Sequence, residues 1–383
     1  MFSLPKIIEN FYGENLYTFT NQTCSCKEDL IYETPHSNPR RIFKLFPEKN
    51  NTVRFAYQAK KGLVRLDSNG STVQENILGT FIGLSTASRT KREKFLSDNG
   101  FIFPLAVEEF NPIDEEAFLS IIQRLKLTVD LMTALSSNKK DYKEILTLTL
   151  NLLFLEQTKI KVADYSYCSC KHPFSNIIEK ADKMTLNGNN QRVARAGGEY
   201  FSITDTIVGT HYQFKISDYN DIMSSQGYSN NHLQWKITNL YVCYNGNTDE
   251  RNVIDLLFHF FHDTEDVFNS YENVEPAILS FAQNIVGEEI NHNLSGIHPE
   301  YNSMTMEPSW RVDSLMSALY FSLFYLRPKM ELYRPCGNPR CNNYFLVKST
   351  SSKTKYCSTK CANNVTQSRY RQKRGLINKK CSL

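Results

Sequence analysis

Near its C-terminal end the chain carries four cysteines in two close pairs, Cys336-x4-Cys341-x15-Cys357-x3-Cys361. Zinc favours four tetrahedral ligands, and a close pair can present two thiolates from one tight turn. Gly337 and Pro339 permit a sharp turn inside the first pair. The 15-residue interval has room for a β-hairpin that returns the chain to the metal. Tyr344 and Phe345 are placed to shield one side of such a site, and Tyr356 the other. A unit this small buries too little apolar surface to fold unaided, and bound structural zinc supplies on the order of 10 kcal/mol. Four thiolates leave no coordination position for water, which marks structural rather than catalytic zinc. The spacing therefore predicts one structural Zn2+ per chain, held by Cys336, Cys341, Cys357 and Cys361. Eight of the ten cysteines lie in close pairs, the pattern of metal ligands where thiols stay reduced.

Charge singles out the same end of the chain. From Arg334 to Leu383 there are 12 Lys and Arg and no Asp or Glu. The preceding 333 residues then hold 44 − 12 = 32 basic and 40 acidic residues, a balance of −8. A mildly acidic body with a basic end implies a polyanionic partner for the end alone. After Cys361 the sequence ANNVTQSRYRQKRG predicts a short helix, capped by Asn363 or Asn364 and stopped at Gly375. Arg369 and Lys373 stand four apart, and Arg371 and Arg374 three apart, with Tyr370 among them. Arginine forks suit phosphate oxygens. The predicted nucleic-acid contacts are Arg369, Tyr370, Arg371, Lys373, Arg374, Lys360 and Lys355. Two readings compete with this: compensation by Lys348, Lys353, Lys355 and Lys360 of the formal −2 of zinc with four thiolates, and a solvated, partly disordered tail.

The order of features resembles the CGNR-type zinc fingers: a helix at 311–329, then LYRPCGNPRCNNYFLV, then KYCSTKC, then a basic helix. The family's Cys-Gly-Asn-Arg signature is represented here by Cys361-Ala362-Asn363-Asn364. The resemblance covers about 60 residues and implies a C-terminal finger of bacterial transcription regulators, with DNA favoured over RNA as partner.

The 383 residues suffice for two or three domains at roughly 100–200 residues each. Residues 1–110 hold short β-like runs, DLIYET, RIFKLF, TVRFAYQA and GLVRLD, and read as a mixed, strand-rich region. The basic run Arg89–Lys94 reads as a solvated helical face. From Asn111 to about 330 helical spacing takes over, as in Phe118, Ile121, Ile122, Leu125, Val129 and Met132. Asn111-Pro112 opens the first helix of this region. Further helices are predicted at 141–157, 249–268, 274–286 and 311–329. A small β insert is expected around 200–245, after a long loop at 184–200. Residues 331–364 form the zinc ribbon, and 365–383 the basic helix and tail. The fold class is α+β.

The longest apolar runs, ILTLTLNLLFL and LMSALYFSLFYL, fall short of the ~20 residues of a membrane span and read as buried helices. The segment MFSLPKIIENFYGEN has no apolar core of a secretory signal, so the expected location is cytoplasmic, without membrane. Two Cys-Ser-Cys-Lys tetrapeptides suggest a second thiolate site built from Cys24, Cys26, Cys168 and Cys170. Asp255, His259, His262 and Asp266 would share one face of a helix, a possible metal or acid–base stripe. No phosphate loop, dinucleotide fingerprint, nucleophile elbow or HExxH motif occurs. The function classes left are a nucleic-acid-binding regulator whose body senses a protein partner or small-molecule effector, a protein–protein adaptor with a structural ribbon, and a metal-dependent enzyme.

Overall fold

A computed structural model describes residues 15–32, 39–58, 61–105, 111–162, 165–172, 191–195, 200–205, 211–215, 274–303, 306–326, 331–341, 343–348, 351 and 354–380. Among the described residues helices and small sheets alternate without a barrel, in keeping with an α+β fold. The chain divides into two compact units, one of residues 1–137, 157–169 and 290–383, the other of 138–156 and 170–289.

The first unit is built on two long strands, β1 (Asn15–Ile31) and β2 (Arg40–Gln58). They pair antiparallel along their full length, interrupted where Gln22 faces Thr52 and Cys24 faces Pro47. The excursion between Pro47 and Thr52 contains Asn50 with φ 61°, a left-handed turn that asparagine tolerates. The second half of β2 pairs with β3 (Gly62–Leu66), which pairs with β4 (Thr72–Gln74). The first half pairs with β5 (Asn111–Asp114). β1 begins well before the predicted strand, because NLYTFTNQTCSC alternates polar with small or aromatic residues and hides its inward face in a polar composition. Tyr17, Phe19 and Cys24 are nevertheless buried.

Asn111-Pro112 is thus a strand of the N-terminal sheet, not a helix start. The helix begins after that strand, as α3 (Glu115–Ser136), and follows the short α1 (Ile77–Ile82) and α2 (Arg89–Asn99). In α3 (Glu115–Ser136) Asp114 caps the backbone N–H groups of Glu116 and Ala117. Its Phe118, Ile121, Ile122, Leu125 and Val129 stripe is buried, as the spacing predicts. The 89–94 run is less solvated than expected. Arg92 pairs with Glu115 and donates to the carbonyls of Leu84 at 3.2 Å and Ala87 at 2.9 Å. Among the described residues Arg92→Met leaves the buried Glu115 with the distant Arg89 as its ion-pair partner, and it is expected to lower stability by about 3 kcal/mol in chemical denaturation.

The centre of this unit is α6 (Leu315–Phe324), apolar all round and buried from Leu315 to Leu323. The Tyr17 hydroxyl donates to the Ala318 carbonyl at 3.0 Å. Strands β6 (Lys159–Val162) and β7 (Tyr165–Cys168) form a hairpin, as do β11 (Ile297–Asn302) and β12 (Glu307–Val312). The helix predicted from 311 therefore starts at Leu315, after β12, with Ser314 as its cap.

The second unit contains α4 (Tyr142–Phe154), close to its predicted range, with Ile145, Leu146, Leu150 and Leu153 buried. It has a three-stranded sheet, β8 (Gln191–Arg195), β9 (Tyr200–Asp205) and β10 (His211–Lys215); β9 and β10 fall in the range expected for the β insert, whose remainder from 216 to 245 lies outside the described residues. β8 lies where a loop was expected, because QRVAR pairs with β9 despite its polarity. Helix α5 (Val274–Asn293) runs past its predicted end at 286. The helix predicted at 249–268, and with it Asp255, His259, His262 and Asp266, lies outside the described residues. Among the described residues no helix is long and apolar enough to cross a membrane.

Candidate metal centre and basic helix

The C-terminal module starts with a two-stranded hairpin, β13 (Glu331–Pro335) and β14 (Tyr344–Lys348). Sequence spacing placed a hairpin between the two cysteine pairs. The strands instead flank the first pair, so that Cys336 and Cys341 occupy the hairpin's tip. Cross-strand partners point to the same face, and the face alternates at each residue. Leu332, Phe345 and Val347 line one face with Cys336, and against them pack Cys341, Tyr356, Cys357 and Cys361. Tyr333, Tyr344 and Leu346 line the other, and join the main core of the first unit. One hairpin thus serves two cores. Tyr344 was predicted to shield the cysteines and shields the body instead, whereas Phe345 and Tyr356 take the predicted role.

The first turn is fixed by its backbone. The Cys341 N–H donates to the Asn338 carbonyl at 2.8 Å, and the Arg340 N–H to the Asn338 side chain at 3.1 Å. The Gly337 N–H donates to the Lys355 carbonyl at 2.8 Å, and a Cβ at Gly337 would stand 3.0 Å from that oxygen. Glycine therefore lets the first turn press against the chain entering the second pair.

The second pair sits at the start of α7 (Thr359–Lys380). This helix begins five or six residues earlier than predicted, because Ser358 rather than Asn363 or Asn364 caps it. The Ser358 Oγ accepts from the Cys361 N–H at 3.2 Å, and its carbonyl from Ala362 at 3.1 Å. Cys361 therefore lies in the first helical turn, where the helix dipole favours a thiolate. Burial raises the Cys361 thiol, but hydrogen bonds with Asn338 and Ser358 and with the Cys357 and Cys341 thiols outweigh it and hold it at about 7. Burial holds Cys341 and Cys357 above the ordinary thiol value.

All four sulfurs lie within 4.8 Å of one another. Cys357 Sγ is 3.6 Å from both Cys341 Sγ and Cys361 Sγ. These distances are too long for disulfides, and all four are free thiols. Four sulfurs about 2.3 Å from a tetrahedral zinc stand about 3.8 Å apart. The donor set and its spacing fit a structural zinc, with no position left open. Residues 333–374 match the family model of the CGNR zinc finger. The match covers the hairpin from Tyr333 on, both cysteine pairs and the first part of α7. The rest of the chain lies outside it, and no curated protein and no solved structure matches the chain.

The CGNR finger is anchored to the first unit through its second face. Asn76, the cap of α1, has a left-handed φ of 58° and donates from its side-chain amide to the Tyr344 carbonyl. The Thr133 hydroxyl of α3 donates to the Tyr333 carbonyl at 2.9 Å. Gly62, at φ +75°, leaves room for the Tyr333 hydroxyl, which would stand 2.8 Å from a Cβ there. Tyr333 is buried. Tyr333→Ala is expected to cost about 3–5 kcal/mol, measured by chemical denaturation.

The residues predicted to meet nucleic acid separate by position. Lys355 precedes the second cysteine pair, Lys360 lies in the first turn of α7, and both are exposed. Val365 is buried, and every residue from Thr366 to Arg371 is exposed, including Arg369, Tyr370 and Arg371. Lys373 and Arg374 lie on the same helix, but their side chains are outside the described residues. Gly375 does not end the helix, which continues to Lys380.

The second thiolate site expected from Cys24, Cys26, Cys168 and Cys170 is not assembled among the described residues, where two groups have metal-ligand spacing and neither contains Cys24, Cys26 or Cys168. On a strand, residues two apart share a face. Cys24 and Cys26 accordingly both turn toward the core, with Cys24 Sγ 3.4 Å from the Leu96 carbonyl. Burial pushes both thiols up to about 12. Cys170 belongs to the second group, with His172 and Glu289. The sequence signal was available in Cys170-Lys-His172 and Glu288-Glu289, but nothing in the sequence says that 118 positions of chain close between them.

Proposed function

We propose that the protein binds nucleic acid through α7, with duplex DNA preferred to RNA, and that it acts as a transcription regulator. The observation that carries this reading is the exposed basic stretch of a helix whose first turn is fixed by the zinc ligands. Arg369 and Arg371 are exposed there, Lys355 and Lys360 stand beside the metal site, and no acidic residue occurs from Arg334 onward. From Thr366 to Lys380 the helix is about 22 Å long at 1.5 Å per residue, long enough to follow a groove or a phosphate backbone. The anchored hairpin sets the direction in which that helix leaves the body.

The body supplies the sensing part of the proposal. A cleft of about 250 Å³ in the first unit is lined by Arg40, Ile42, Ile113, Asp114, Lys159 and Lys161. Asp114 pairs with Arg40 there at 2.6 Å, which leaves Lys159 and Lys161 as the cations facing the apolar lining and suits a small anionic effector.

The test is a double substitution, Arg369→Ala with Arg371→Ala, assayed for duplex DNA and RNA binding across a salt series. Each lost phosphate contact lowers the log–log salt slope on duplex DNA by about 0.9. The double variant is expected to bind more weakly, with a slope shallower by about 2, and with unchanged zinc content. An unchanged slope and affinity would remove these residues from the interface.

A further inference from the structure

The second group of ligand-type side chains lies in the second unit, far in sequence from the finger. Cys170 and His172 end the described part of the CSCKH tract, and α5 brings Glu288 and Glu289 to them. His172 and Glu289 are almost wholly buried, and Cys170 is 5% exposed. His172 Nδ1 lies 2.8 Å from Glu288 Oε2, a hydrogen bond. Its other nitrogen, Nε2, lies 3.4 Å from Glu289 Oε2. That is long for a charge-assisted hydrogen bond, which closes to about 2.7–2.9 Å. It matches the edge of a tetrahedron, about 3.3–3.4 Å, whose N and O ligands are about 2.0–2.1 Å from a zinc ion. Cys170 Sγ is 3.9 Å from His172 Nδ1 and 3.8 Å from the Glu288 carbonyl oxygen. One ligand atom from each of Cys170, His172 and Glu289 lies within 4.8 Å of the others.

We propose that Cys170, His172 and Glu289 form a second zinc site. His172 binds through Nε2, Glu288 positions the ring by accepting the Nδ1 proton, and the Cys170 thiolate, which here lies 3.9 Å from Nδ1, rotates about its Cα–Cβ bond to reach the metal. This is the arrangement in which a carboxylate fixes the tautomer of a metal-bound histidine. A thiolate, a neutral imidazole and a carboxylate are a mixed donor set that zinc accepts. The thiolate and carboxylate together neutralise a divalent ion. The described residues supply three ligands, and water or a small anion takes the fourth position, unlike the closed finger site.

The test uses the full-length chain, without an affinity tag, produced with zinc in the medium and dialysed against buffer. Elemental analysis is expected to give two zinc ions per chain. X-ray absorption is expected to give an average of about 2.5 sulfur ligands per zinc, the mean of a four-sulfur and a one-sulfur site. Cys170→Ala and His172→Ala should each retain one zinc, with four sulfur ligands. Cys336→Ser should retain the other zinc, with one. The stoichiometry and sulfur count of the unsubstituted chain decide the matter even where a variant fails to fold. One zinc per chain with four sulfur ligands would overturn the proposal, as would two zinc ions with four sulfurs each.

Discussion

Replacing Cys336 with serine is expected to cost the chain one equivalent of zinc and to unfold the module from Glu331 to the first turns of α7. Its sulfur lies with Cys341, Cys357 and Cys361 in one group, and accepts a weak hydrogen bond from the Cys357 N–H at 3.5 Å. A hydroxyl is a poor ligand for zinc in a thiolate site, so the three remaining cysteines lose most of the affinity. What they lose is folding energy, on the order of 10 kcal/mol for a structural zinc. The apolar residues on the zinc face, Leu332, Phe345 and Val347, do not make up that amount. The effect spreads beyond the module, because Tyr333 and Tyr344 of the same hairpin belong to the main core of the first unit. The expected readouts are one zinc fewer by elemental analysis, a lower thermal midpoint for the first unit, and faster hydrogen exchange in β13 and β14. Unchanged zinc content with an unchanged midpoint would contradict the assignment of the ligands.

Gly79→Ala is expected to separate docking from metal binding. Gly79 lies in α1, and a Cβ there would stand 2.0 Å from the Tyr344 carbonyl oxygen and 2.5 Å from the Asn76 amide. Both neighbours are held. The Asn76 side chain accepts from the Gly79 N–H at 3.2 Å and donates to the Tyr344 carbonyl. The added methyl therefore forces α1 away from β14. Overpacking of this kind costs typically about 1–3 kcal/mol, and loss of the Asn76–Tyr344 hydrogen bond about 1 kcal/mol more. The zinc ligands lie on the opposite face of the hairpin and keep their spacing. The expected outcome is a fall of about 2–4 kcal/mol in denaturant unfolding with full zinc content. Stability equal to the unsubstituted chain would show that the finger does not rest on α1.

These two substitutions divide what the sequence discloses from what it does not. The four zinc ligands are legible because the metal imposes a local spacing on cysteines that have few other uses. Helices α3, α4 and α6 are legible because their apolar positions recur at the helical period or fill the helix all round. β1 is not, because a strand buried on one face needs only every second residue to be apolar, and threonine, asparagine and cysteine fill its positions. The place of the hairpin is hidden for a related reason. Cysteine spacing limits where the pairs meet but not which strands carry them, and the pairing of Leu332 with Val347 is decided by two faces at once. The grouping of Cys170 and His172 with Glu289 depends on the path of α5, which no short motif encodes. The basic end was legible as composition. Its helix start was not, because Ser358 outcompetes the two asparagines by standing three residues before Cys361, whose N–H it accepts.

The central claim is that zinc shapes the C-terminal module into a surface for nucleic acid. Its most direct test is the affinity of the full-length chain for duplex DNA as a function of salt, before and after zinc is chelated. With zinc bound, four to six phosphate contacts predict a log–log slope of about −4 to −5, and chelation should abolish most of the binding. No binding at low salt to duplex DNA or to RNA by the zinc-loaded chain would contradict it.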